Sequence, residues 1–133
     1  MTRFDTVALA WAPRTLSVLR IVTALLFLSH GTSKLLNLPV MRASPEPWSL
    51  SWIAGVLELV GGALLTLGLF SRATAFILSG EMAVAYFLAH APQAFLPIEN
   101  RGELAVLYCF VFLYLWVAGP GPWSLDAVRH RNR

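Results

Sequence analysis

Apolar residues crowd into four stretches of the chain, at about 15–36, 50–70, 72–90 and 102–118, with polar and helix-breaking residues between them. Each stretch approaches the ~20 helical residues that cross ~30 Å of hydrocarbon at ~1.5 Å per residue. Asn37, Pro39, Pro45 and Pro47 end the first, and Trp48 and Trp52 mark the interface before the second. Ser71 leaves room only for a tight antiparallel turn between the second and third. Pro92 and Pro97 bracket the next loop, and Gly119, Pro120, Gly121 and Pro122 stop the fourth segment. The pattern predicts an all-α, four-transmembrane-helix bundle built as a single membrane domain over 1–133. Residues 2–12, with Phe4, Val7, Leu9 and Trp11, are expected to form a separate short interfacial helix. Helices in lipid associate through small residues that allow close approach. Ala75, Ser79 and Ala83 supply one such ladder, and Ser51, Gly55, Gly61, Gly62 and Ala63 supply another.

Composition agrees with the pattern, since 57% of the 133 residues are hydrophobic and only 13% are charged, too apolar for a soluble core. The net charge of +3 comes from ten Lys and Arg against seven Asp and Glu, scattered at segment ends, which argues against nucleic-acid binding. Placement of the basic residues sets an orientation, because short cytoplasmic loops retain positive charge. Arg3, Arg14, Arg20, Arg72, Arg129, Arg131 and Arg133 fall on one side, against Lys34, Arg42 and Arg101 on the other. Both termini are therefore expected in the cytoplasm, with the two proline-bearing loops outside. A cleaved leader is not expected, because His30 and Lys34 follow the first apolar segment without a small-residue cleavage site, so Met1 should begin the mature chain.

Ionisable residues inside the apolar segments are the informative positions, since each costs several kcal/mol unless paired or facing a wet cavity. By helical rise, His30, Lys34, Glu58, His90, Arg101, Glu103 and Tyr108 fall in the outer half, whereas Arg20 and Glu81 lie lower. Arg20 and Glu81 could form a structural ion pair across helices one and three, and Arg20 reads either as that pair or as an interfacial snorkel rather than as a ligand group. His30 and Lys34 share a helix face, and two readings of their cluster stand side by side. One is a hydrogen-bonded network that locks the helices in register. The other is a polar pocket formed by His30, Lys34, Glu58, Glu103 and Tyr108, in which a carboxylate and an imidazole exchange protons with a quinone-like ring or another small molecule. His90, near a helix end, reads as an interface residue. Tyr108 and Trp116 also fit a plain lipid-facing helix, and Asp126 should cap or anchor the tail. No haem feature accompanies the two histidines, which disfavours bis-imidazole ligation, and no metal site is expected. Cys109 is the single cysteine, which rules out an intrachain disulfide and dithiol chemistry.

An ordered set of short motifs carries a family resemblance: His30-Gly31 with Lys34, Leu57-Glu58 with Gly61-Gly62, Leu67-Gly68-Leu69 leading to Arg72, and Gly119-Pro120-Gly121 leading to Ser124-Leu125-Asp126. From Arg20 to Asp126 the chain resembles the DoxX family. That resemblance implies a four-helix, multi-pass protein of the bacterial cytoplasmic membrane, similar to the small subunit associated with thiosulfate:quinone oxidoreductase and to relatives tied to oxidative-stress defence. A redox-associated subunit that binds quinone or a lipid-like molecule and takes electrons from a partner is one reading. A non-catalytic anchor or assembly factor for a soluble enzyme is a second, and small-molecule or proton movement a third. An anchor needs no cavity between its helices, whereas a pocket must show one lined by His30, Glu58 and Tyr108. Catalytic residues, cofactor and oligomeric state, including self-association, stay open at this stage.

Overall fold

A computed structural model describes residues 2–40 and 43–132. Met1, with which the mature chain was expected to begin, and Arg42 and Arg133, two of the residues in the charge asymmetry, lie outside the described residues. Every regular element among the described residues is helical: α1 Arg3–Leu36, α2 Leu50–Leu67, α3 Ser71–Ala85, α4 Pro97–Asn100, α5 Glu103–Ala118 and α6 Leu125–Arg131. A π-helical turn, Tyr86–His90, continues α3. Helices α1, α2 and α3 with its π turn are long and apolar enough to cross a membrane. Helix α5 is equally apolar but has 16 residues, or ~24 Å of rise.

Helix α1 corrects one expectation, because it runs unbroken for 34 residues where a separate helix over 2–12 was expected. Thr2 and Asp5 start it with a reciprocal capping box, Asp5 N–H donating to Thr2 Oγ1 and Thr2 N–H to the Asp5 carboxylate. Pro13 costs this helix one backbone bond, yet residues 2–15 are all exposed, so the freed carbonyl can be solvated. Arg14 adds a side-chain bond to Ala10 O at 3.2 Å. At ~51 Å of rise, α1 exceeds a ~30 Å core, and its first turns extend past the bundle.

Helix α2 stops earlier than expected, at Leu67, because Gly68 takes the left-handed conformation (φ 69°) and closes the end. Leu69 N–H donates to Leu64 O at 2.9 Å, and Gly68–Phe70 form the turn into α3. A Cβ on Gly68 would strike Ser124, so this turn requires glycine twice over.

Packing follows close approach at particular residues. Helix α1 packs chiefly on α2, and α3 chiefly on α5. A Cβ added to Gly31 would sit 2.5 Å from the Leu59 backbone nitrogen, and one on Gly62 would sit 2.9 Å from Leu28 Cα. These two glycines therefore set the α1–α2 crossing. On the α3 side Ala75 and Ser79 are buried, and Ser79 Oγ donates to Cys109 O at 2.8 Å. Ala83 is only half-buried, while Ser51 and Ala63 face outward, so those three contribute less to the interfaces than expected. Phe27 of α1 meets Tyr108 and Phe112 of α5 edge-on, with ring centres 5.1 and 4.9 Å apart, and these rings fill the centre of the bundle.

Candidate functional site

The two ends of the bundle do different work. At the end carrying both termini, polar side chains are spent on holding helix ends together. Arg20 is fully buried, and its guanidinium donates to the carbonyls of Pro120 (2.8 Å), Thr66 (2.9 Å), Leu65 and Trp123. Two of these are carbonyls in the last turn of α2, Thr66 O and Leu65 O, the latter also accepting from the capping Gly68 N–H at 3.1 Å. Arg72 does the same for α5, donating to Trp116 O and Val117 O. Helix α3 has no capping side chain of its own, and Asp126 supplies one from α6 by accepting the N–H groups of Phe70 (3.0 Å) and Ser71 (2.8 Å). Burial alone would raise the Asp126 carboxyl. The N–H donors of Ser71 and Phe70 and the charge of Arg129 outweigh it and hold the group below the usual carboxylate range.

This arrangement overturns the expected Arg20–Glu81 ion pair. Arg20 lies level with the α2–α3 turn, whereas Glu81 sits ten residues into α3, ~15 Å along its axis. Carbonyls satisfy the guanidinium instead, and neither Glu81 oxygen has a hydrogen-bond partner among the described residues.

At the opposite end the structure brings together most of the polar residues singled out from the sequence. Lys34 Nζ of α1 meets Glu58 Oε1 of α2 at 2.7 Å, and Glu58 is only 4% exposed. Its second oxygen, Oε2, is buried with no partner among the described residues. The pair borders a cavity of about 350 Å³ that reaches all four long helices. Its polar lining is His30, Lys34, Glu58, His90, Arg101 and Tyr108; Phe27, Met82 and Leu104 line the apolar part. His30 stands edge-on to Tyr108, with ring centres 6.2 Å apart. Glu103 does not join them. It is exposed at the start of α5, rotated ~140° around the helix from Tyr108, where its charge favours the helix N-terminus instead.

His90, read from the sequence as an interface residue, lines the same cavity from the last position of the π turn. Its Nδ1 lies 3.0 Å from Asn100 O. Asn100, missed in the sequence, is 1% exposed and fastens the loop beneath: it donates to Ala94 O at 2.9 Å and accepts from Gly102 N–H at 2.8 Å. Its position in a turn between Pro97 and Gly102 was the available signal. A second, larger cavity of about 520 Å³ lies between α2 and α3. Its walls are apolar except for Lys34, Ser51 and Glu81, and it shares Lys34, Ala85 and Ala89 with the first. No cluster of three or more metal-ligating side chains occurs among the described residues.

Apolar helices of spanning length, helix ends closed by buried arginine, and a cavity with ionisable side chains in its lining at one end of the bundle define a helical integral membrane protein. The DoxX family model matches residues 15–91, more than half of the chain, and the chain belongs to that family. A protein of Haemophilus influenzae, described as uncharacterized, is 48% identical over 124 residues, covering 87% of this chain and 91% of its own. An uncharacterized membrane protein of Mycobacterium tuberculosis is 32% identical over 136 residues, covering 88% of this chain and 82% of its own. No solved structure matches. His30, Gly31, Lys34, Glu58, Gly68 and Arg72 lie within the matched segment, whereas Gly119–Asp126 lie beyond it.

Proposed function

We propose that the protein crosses the bacterial cytoplasmic membrane four times with both termini inside, and that the cavity at the other end binds a quinone-like ring or a lipid-like small molecule. In this reading it is a redox-associated subunit whose partner supplies the electrons, since the chain's lone Cys109 offers no dithiol of its own. Orientation rests on the charge count: Arg3, Arg14, Arg20, Arg72, Arg129 and Arg131 share the terminal end of the bundle, with Lys34 and Arg101 at the other. A 16-residue α5 spans by thinning the bilayer locally or through its flanking residues.

The observation that carries the binding reading is the nearly buried Glu58, whose free Oε2 stands beside an imidazole and a phenol around an open volume. A polar group left unpaired in a buried site costs stability, and a bound molecule that donates to it removes that cost. The volume, about 350 Å³, falls in the range of small-molecule sites. His30 and Glu58 are groups able to exchange protons with a bound ring. Binding of a short-chain quinone, offered in its oxidised and its reduced form, by detergent-purified protein tests this reading. His30→Ala and Glu58→Gln should each weaken binding of the form the parent holds tighter by about tenfold or more while the protein stays folded, and unchanged binding in both would leave these residues a structural role.

The Lys34–Glu58 bridge favours a second reading, a non-catalytic anchor whose polar residues only hold helices in register. It separates from the first in a double substitution. If Glu58→Gln unfolds the protein and Lys34→Met added to it restores stability, the pair is a structural bridge and the anchor reading gains.

A further inference from the structure

Around the two adjoining cavities, the buried side-chain atoms that lack a partner among the described residues are all carboxylate oxygens: Glu58 Oε2 and both oxygens of Glu81. Lys34, which lines both cavities, already donates to Glu58 Oε1 at 2.7 Å. A ligand that completes these three oxygens must therefore bring donors. A ring bearing only carbonyl oxygens could accept from Tyr108 or Arg101, which line the first cavity, but would leave these three carboxylate oxygens unpaired. The larger cavity adds a second requirement. Beyond Glu81 its walls are Ile53, Leu57, Ile77 and Val84, a groove between α2 and α3 suited to an apolar chain. Ile53, Ile77 and Val84 are also exposed on the outside of the bundle, so the groove continues onto the lipid-facing surface.

We propose that the two cavities form one site for a hydroxyl-bearing amphiphile of the hydroquinol or alkylphenol class, with its hydroxyl groups donating to Glu58 and Glu81 and its chain in the α2–α3 groove. This rests on the small-molecule reading above and sharpens it: the reduced, hydroxylated form of the ligand is the one that fits. A site built to hydrogen-bond a hydroxyl rejects the analogue lacking it, because its own buried groups are then stranded.

Equilibrium dialysis of detergent-purified protein against a short-chain quinone and, under anaerobic conditions, the matching quinol compares the two forms on the parent protein alone. The quinol should bind about tenfold tighter or more. In Glu81→Gln, where the amide offers a donor as well as an acceptor, the preference should shrink to under about threefold. Equal binding of the two forms by the parent overturns this inference and leaves the small-molecule reading standing. Tighter binding of the quinone overturns it as well, because Glu81 would then be giving a proton to the ligand. A preference for quinol that survives in Glu81→Gln removes Glu81 from the site and overturns the two-carboxylate arrangement. Failure of both forms to bind overturns this inference and the binding reading together.

Discussion

Replacing Arg20 with methionine keeps most of the side-chain volume and removes every hydrogen bond the guanidinium makes. Four carbonyls lose a donor, those of Leu65, Thr66, Pro120 and Trp123; Leu65 is fully buried, and its carbonyl keeps only the Gly68 N–H. A buried acceptor stranded in this way costs about 1–3 kcal/mol. The carbonyls nearer the bundle end can recruit water, so the loss should come to roughly 3–6 kcal/mol rather than four full penalties. Arg20→Lys keeps the charge but replaces a planar fork with a single ammonium, and should recover only about half. Chaotrope unfolding in detergent, followed by tryptophan fluorescence and helical circular dichroism, measures both. Arg72→Met is the contrast: Arg72 is exposed, so its bonds to α5 compete with water and their loss should cost about 1 kcal/mol or less. If Arg20→Met lies within about 1 kcal/mol of the parent, the buried guanidinium is not what joins α1, α2 and the 119–124 segment.

Gly31→Ala should destabilise by about 1–3 kcal/mol in the same assay, because its Cβ would press on backbone that only a shift of α1 or α2 can relieve. Gly80→Ala meets nothing within 4 Å and should stabilise by about 0.5–1 kcal/mol; a loss there would contradict the placement of that helix face. Asp126 is held below its ordinary value of 3.8, so it adds stability above that pH and loses it as pH falls through its folded-state value. Asp126→Asn should lower stability at neutral pH and flatten the decline measured as the pH falls below about 4. Breaking the Lys34–Glu58 bridge from one side should cost about 2–3 kcal/mol, less than a fully buried pair because the Lys34 side chain is 28% exposed. A double-mutant cycle with Lys34→Met and Glu58→Gln should show coupling of comparable size, and additive losses would contradict a direct bridge.

Helix existence was legible because apolar runs of membrane length have few alternatives, and segment limits followed wherever Pro or Gly intervened. The unbroken α1 was not. Pro13 reads as a breaker, but an exposed helix tolerates the bond it removes, and a sequence does not say which carbonyls reach solvent. Depth along the helices found the company of His30, Lys34, Glu58 and Tyr108, since that needs only rise per residue. Rotation around the helix was harder, and it misassigned Glu103, whose depth is right and whose face is wrong. The π turn that ends at His90 leaves no mark on hydropathy. Arg20 was paired with Glu81 on the assumption that a buried cation needs an anion. Helix C-termini present carbonyls that serve as well, and these become visible only when the helix ends are placed side by side.

The claim that the polar cavity is a ligand site meets its most direct test in native mass spectrometry of protein purified from its membrane in mild detergent. A small molecule of quinone, quinol or similar lipid-like mass should be retained on the parent protein and lost or strongly reduced in Glu58→Gln. A parent that flies at its bare mass, under conditions in which the fold and bound structural lipid survive, would contradict it.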